Sequence, residues 1–505
     1  MNRRSILRVV GATALLKFSS ATGSAASGSS LISVLTPTAR YEGDVVTEEG
    51  NVARFRGIRY GHAPRERRFQ SALPVAPSSQ VIRALDWQAA CPQPARPDAG
   101  GEEDCLMLNL WAPLKAIQTQ QPVPVMVYFH GGAYSSGSAT DPEHDGSHLA
   151  AQEQVIVVTV NHRINVLGYL YLDPLYPELS GSGNVGQTDL ILALEWIKKN
   201  IEAFGGDSQC VTVFGQSGGG AKIATLMAMP AAKGLFHRAI TMSGQQITAS
   251  GPDHAERRTR AFLKSLGEDP LHAEVPRLMH ALRSTRDPIL GGSLYMGPVL
   301  DMHHLHRHPF WPNAPEQSAD IPLMLGNTIS ETRAFYHPHG PVMQGLSFEN
   351  LAERIRPEIK VDLHTAWVVE QYRKRFPQDT ATRLFHRIVT ASRSWRGQVI
   401  EAEARASAGQ PVFVYQLNFR DAKHTDDIVL AFGTHQSSDP EVNEVSKRLM
   451  SRFATFARSG KAGWPEYTLA SRQTLIIDSQ DSVLADPRHW ERELFARVPY
   501  TQPGT

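Results

Sequence analysis

The sequence predicts an α/β fold: a large, mostly parallel, twisted central sheet with helices on both faces and a helical cap region. Three observations carry that prediction. Short apolar runs rich in β-branched residues (VPVMVYF, VIVVTV, VTVF) recur through the middle of the chain, and runs this apolar suit strands covered on both faces. A helical pattern, DLILALEWIKKNIEAFGG, separates the second run from the third. Strand, helix, strand in that order implies a right-handed crossover and a doubly wound sheet.

The chain has 505 residues, 41% hydrophobic and 20% charged. It can bury a sizeable core, and bulk disorder is excluded. Length alone suggests about three domains of ~150 residues, but large α/β sheets run longer as one unit. Residues 30–505 are read as one domain with insertions. The net charge of +1 argues against nucleic acid or an anionic membrane surface as partner, since both need a basic field.

Residues 1–26 read as an export signal. Arg3, Arg4 and Arg8 precede a short apolar stretch over residues 9–18, then a small-residue tract with Ala25 or Ala26 as cleavage points. The stretch is short and broken by Lys17, so it is no membrane span. The NRRSIL run resembles a twin-arginine signal, with an ordinary Sec signal as the alternative. Both put the mature chain outside the bacterial cytoplasm, in the periplasm or secreted. No later stretch reaches the ~18 apolar residues of a spanning helix.

The cysteines are Cys91, Cys105 and Cys210. Disulfides persist outside the cytoplasm, and Cys91 and Cys105 flank a polar, Gly- and Pro-rich stretch. A bridge closing that short loop is expected, worth about 3 kcal/mol. Cys210 precedes an apolar run and is expected to be a buried, inert thiol.

Strands are expected to end at Phe129, Val160 and Phe214, with later ones near Met242, Leu325 and Leu417. In the helix between the second and third, Leu190, Leu194, Ile197 and Ile201 recur at helical spacing, and Gly205 and Gly206 close it. Residues 255–285 read as helical and charged, part of the cap. A final helix is expected over about residues 442–458, ended by Gly460.

The strongest local feature is VTVFGQSGGGAKIATLMAM, a strand running into Gly215-Gln216-Ser217-Gly218-Gly219 and then an apolar helix. G-x-S-x-G in that setting lifts a serine hydroxyl onto a strained turn at a helix N-terminus, where the N–H of Gly218 can donate to an oxyanion. Upstream, a strand ends in His130-Gly131-Gly132-Ala133. Gly132 and Ala133 supply further N–H donors, and removing one such donor typically adds ~3 kcal/mol to the barrier.

With these motifs the sequence resembles the type-B carboxylesterase family, which also holds the cholinesterases and has the α/β-hydrolase fold. The segments FRGIRYGHAP, ACPQP, EEDCLMLNLWAP, NHRINVLGYL, GNVGQTDLILALEWIKKNIEAFGGD and KGLFHRAITMSG match family blocks in order. The resemblance covers nearly all of the mature chain, and it too pairs Cys91 with Cys105. It implies a Ser, Glu, His triad in that chain order. LMLGNTISETRAF places Glu331 at the acid and KHTDDIVLAFG places His424 at the base, with Asp427 and Gly433 in register. His424 then takes the Ser217 proton and returns it to the leaving alcohol, while Glu331 fixes and stabilises the ring. Ser243 matches a second family serine, with a supporting hydrogen bond or plain packing as its role. The partner implied is a small-molecule ester, with no cofactor; the oligomeric state is left open.

The chain departs from the family in places. Gln216 and Gly218 stand where cholinesterases have Glu and Ala. The Cys91 to Cys105 loop has no aromatic residue, and a quaternary ammonium guest needs aromatic faces, so a choline ester is disfavoured and an uncharged ester expected. Thr425 and Val429 replace a frequent Gly and Pro after the histidine. The cluster His303, His304, His306 and His308 lacks the companion residues of a metal motif, and no metal is expected. Two rival functions remain: hydrolysis of carbamates, amides or lactones by the same triad, and a non-catalytic binding role such as some family members have.

Overall fold

The computed structural model describes residues 30–47, 50–94, 102–502 and 504. The predicted export signal lies outside them, as does the middle of the Cys91 to Cys105 loop. Thirteen strands form one continuous sheet. Its middle is seven parallel strands, in spatial order Ile156–Val160, Val123–Phe129, Gly206–Gln216, Arg238–Met242, Leu323–Thr328, Val412–Leu417 and Gln473–Ile477. Antiparallel strands extend it at both ends: Leu31–Leu35, Arg40–Val46, Val52–Arg59 and Met107–Pro113 on one side, Ser482–Ala485 on the other; the thirteenth, Val81–Arg83, pairs in parallel with Arg40–Val46.

Both faces of the central strands are buried, which is why the strand runs read as almost unbroken apolar sequence. In Val123–Phe129, Val125, Val127 and Phe129 join the core beneath helices Val185–Asn200 and Gly218–Leu226. Met126 and Tyr128 point to the opposite core, with Leu449 and Phe453 of helix Pro440–Ser459. Each fully buried side chain of this kind contributes about 1.5–3 kcal/mol.

The expected strands are present, and that before the serine runs on to Gln216, the residue next to it. The expected crossover helix begins at Val185, earlier than its apolar spacing suggests. Asp189 lies inside it, fully buried, and pairs with Arg163 through Nε at 2.8 Å and Nη2 at 2.6 Å. The helix expected as the final one runs Pro440–Ser459 and is stopped by Gly460 at φ 71°, the left-handed position glycine favours; it is not the final one, because a short helix, His489–Phe495, follows it. The expected cap segment forms helices Pro252–Leu266 and Val275–Ser284, packed on Tyr134, Tyr169 and Ala221.

A second helical group was not legible in the sequence. Leu351–Ile355, Thr365–Arg375 and Ala381–Val389 build a separate core around Val368, Tyr372 and Ile388. A six-residue π-helical stretch, Thr390–Trp395, joins this group to helix Arg396–Ser407.

Cys91 and Cys105 are disulfide-bonded. Cys210 is half-buried rather than buried: it lies in the first half of the nucleophile strand, where its Sγ contacts the Ala457 carbonyl at 3.2 Å and Arg238 Nη1 reaches it at 3.2 Å. Burial pushes the thiol above its ordinary pKa. His303, His304, His306 and His308 belong to a loop ordered by Asp301, whose Oδ1 accepts the N–H groups of His303, His304 and Leu305. His308 Nδ1 lies 3.1 Å from the Ala249 N–H. No helix among the described residues is long and apolar enough to cross a membrane.

Candidate active site

Strand Gly206–Gln216 ends one residue before Ser217, and helix Gly218–Leu226 starts one residue after it. The turn is sharp: Ser217 sits at φ 55°, ψ −119°, a conformation L-residues avoid. Its N–H donates to the Met242 carbonyl at 2.7 Å, which ties the turn to the next strand. The glycines are a steric necessity. A Cβ on Gly219 would lie 1.9 Å from the Phe129 carbonyl oxygen, and one on Gly218 would lie 2.1 Å from that of Ala133.

The second contact also places the upstream turn. Gly132 and Ala133 both have positive φ, 84° and 53°, and their loop folds over the start of the serine helix. Among the described residues, the N–H groups of Gly132, Ala133 and Gly218 have no hydrogen-bond acceptor. Ala133 and Gly218 line the same cavity as Ser217, and free N–H donors are what the charged oxygen of a tetrahedral intermediate requires.

Glu331 follows strand Leu323–Thr328 and opens a short 3-10 turn. Its side chain is fully buried, so each oxygen needs a partner. Oε1 accepts the Ser243 hydroxyl at 2.6 Å and the Thr328 N–H at 2.7 Å. Oε2 pairs with His424 Nδ1. With Nδ1 so engaged, a neutral imidazole presents Nε2 as its basic nitrogen. The ring also packs on Phe335, with centroids 4.6 Å apart.

Ser217, Ser243, His424, Ala133 and Gly218 line one cavity of about 380 Å³, within the range of small-molecule sites. Among the described residues, the Ser217 hydroxyl and the His424 ring make no hydrogen bond to each other. Such bonds are often long in unliganded sites and tighten when substrate binds. The two residues are nonetheless tied: Gln216 Nε2 donates to the His424 carbonyl at 2.5 Å.

Several contributors were missed at the level of sequence. Gln216 was seen only as a departure from the family, whereas here it is the clamp on His424. Asp427 is fully buried, with both carboxylate oxygens unpartnered among the described residues. Burial, reinforced by the Glu331 charge, holds its pKa well above the carboxylate range. A buried carboxyl without a partner favours its protonated form. Lys222, on the serine helix, is also fully buried; its Nζ donates to the His130 carbonyl at 3.0 Å, at the root of the Gly132 loop. Burial pushes it down to about 7. A lysine within the apolar run GGGAKIATLMAM was the visible sign of it.

The family model described as the carboxylesterase family matches residues 30–493. Para-nitrobenzyl esterase of Bacillus subtilis (strain 168) is 32% identical over 485 residues, covering 88% of this chain and 95% of the relative. A protein named probable N-octanoylanthranilate hydrolase, from Rhodococcus erythropolis, is 30% identical, with 88% and 98% covered. The solved structure of a Geobacillus stearothermophilus carboxylesterase superposes with a TM-score of 0.80 at 29% identity, over 92% of this chain and 99% of that one.

Proposed function

The chain belongs to the carboxylesterase family and is a carboxylic ester hydrolase, and from that premise we propose that it works through an acyl-enzyme on Ser217, with His424 as base, Glu331 as its orienting acid, and an oxyanion hole from Gly132, Ala133 and Gly218. The observation that carries this reading is the unbroken line Ser243–Glu331–His424 ending in the cavity that holds the strained Ser217. Ser217 Oγ attacks the ester carbon as its proton passes to His424 Nε2, and the oxyanion is held by the three N–H groups. Collapse expels the alcohol, which takes that proton. Water, deprotonated by the same nitrogen, then splits the acyl-enzyme and frees the acid. Ser243 steadies Glu331 through its hydroxyl.

The test is p-nitrophenyl acetate turnover by the native protein and by Ser217→Ala. We expect a nitrophenolate burst stoichiometric with native enzyme, and a loss on the order of 10⁵- to 10⁶-fold in kcat for the variant. Equal turnover by the two folded proteins would overturn the assignment. Amide hydrolysis is a second reading, favoured by the relative whose printed name specifies an N-acyl compound.

We also propose that the protein acts outside the cytoplasm as one 30–505 domain, residues 1–26 being its leader. The disulfide supports this, since such bonds persist in oxidising compartments. Cell fractionation with intact-mass analysis should find, in the periplasm or medium, a chain lacking the leader after Ala25 or Ala26. A full-length cytosolic chain with both thiols reduced would refute it.

A further inference from the structure

The cavity that holds Ser217 carries a charge the proposed chemistry does not use. Its described lining includes no aspartate or glutamate but two cations, Lys360 and Arg393. The Arg393 guanidinium carbon lies 5.4 Å from the centroid of the Phe335 ring, which in turn packs on His424. A positive group therefore stands one aromatic ring away from the imidazole. The rest of the described lining carries no fixed charge and includes Tyr134, Tyr295 and Leu290.

The backbone delivers Arg393 to this place. It lies in the π-helical stretch Thr390–Trp395, between two α-helices. A π turn inserts one residue and rotates the helix beyond it, and such insertions recur at functional sites. Here Arg393 and its neighbour Ser394 both reach the cavity. Arg393 is braced from behind: Nη1 lies 3.9 Å from Glu358 and 3.5 Å from the Tyr336 hydroxyl, which itself donates to Glu358. That one carboxylate serves both cations. Lys360 donates to the Pro357 carbonyl at 3.3 Å, and burial together with Arg393 holds it below its ordinary pKa. Two like charges facing a partly desolvated space repel each other, and a bound anion relieves that repulsion.

We propose that Arg393 and Lys360 form a carboxylate-binding subsite, so that the preferred ester carries a carboxylate at the end remote from its scissile bond, as in a half-ester of a dicarboxylic acid. This rests on the esterase reading above and replaces the expectation of an uncharged ester. A planar guanidinium suits a carboxylate because two parallel N–H groups can meet its two oxygens.

The test compares p-nitrophenyl hydrogen glutarate with its methyl-capped, neutral counterpart. Wild type should favour the charged ester in kcat/KM by about tenfold or more, chiefly through KM, because a hydrogen bond to a charged group is worth ~1.5–3 kcal/mol. That ratio should fall about tenfold in Arg393→Gln and several-fold in Lys360→Gln, and it should shrink as salt rises. Free glutarate should inhibit the native enzyme competitively, which needs no variant and so survives a failure of either to fold. A wild-type ratio near one, or equal losses on both esters in the variants, overturns the subsite and leaves the esterase reading intact. Turnover of neither ester by folded wild type overturns the esterase reading and the subsite with it.

Discussion

Ser217, Ala133 and Ser243 all hold positive φ although none is glycine. Each such residue costs about 1–3 kcal/mol and persists only where its surroundings over-determine it. The surroundings are visible: Ser217 is bound through its N–H to Met242, and Ser243 through its own to Gly326 at 2.7 Å. Ser217 could be read from its flanking glycines, because the steric demand of the turn is written into its nearest neighbours. Lys222 shows what such a reading leaves out. Its burial depends on elements distant in sequence, and its effect on pH follows from that burial. Below pH 7 the lysine is charged in both the folded and the unfolded chain, and the folded state bears the full desolvation cost. As pH rises from about 7 to the ordinary 10.5, the folded chain releases its proton before the unfolded chain does, so the protein gains stability. The neighbouring rings of His130 and His162 do not confuse the window, since burial and Lys222 hold both well below the ordinary imidazole value. Lys222→Met should therefore raise Tm more at about pH 6 than at about pH 10, with the difference bounded on the order of 5 kcal/mol. Melting curves at the two pH values check this, and a gain that does not vary with pH would contradict it.

The oxyanion turn does not stand alone as an element. Gln93 grips it from the disulfide loop, its Nε2 donating to the Gly137 carbonyl and its Oε1 accepting the Gly137 N–H, both at 3.0 Å. Asn165 Nδ2 reaches the Pro92 carbonyl at 2.8 Å from the other side. The bridge between Cys91 and Cys105, 14 residues apart, thus fixes a strut as well as restricting the unfolded chain. Cys105→Ala should lose about 3 kcal/mol in urea unfolding and lower kcat at temperatures where the fold survives, as the Gly132 and Ala133 donors loosen. Unchanged kcat beside lowered stability would mean that the bridge only restricts the unfolded chain. At this scale the sequence was readable where an element repeats its own period. The central strands and the crossover helix each show one, because burial on both faces, or along one stripe, imposes it. The π-helical stretch Thr390–Trp395 shows none, since an inserted residue breaks the period that would have announced it.

Across the whole molecule the candidate site is assembled from segments that share no local signal. Glu331 and His424 are separated by 93 positions and the Gln216–His424 clamp by 208; Gln216 closes one parallel strand, Glu331 and His424 follow the ends of two others, and the sheet brings those ends to one edge. This is where open α/β sheets bind their ligands. From residue types alone, Glu331 was an acid after an apolar strand and His424 one histidine among 20; the resemblance of whole blocks singled them out. The carboxylesterase family, the mainly parallel sheet and the serine turn were determined by the sequence itself, since hydrophobic period and glycine placement are local physical demands. Only the tertiary structure decided that Gln216 clamps His424, that burial raises the pKa of Asp427, and that Lys360 and Arg393 share the cavity of Ser217. Desolvation and charge act through space, and a linear pattern carries no distance between residues far apart along it.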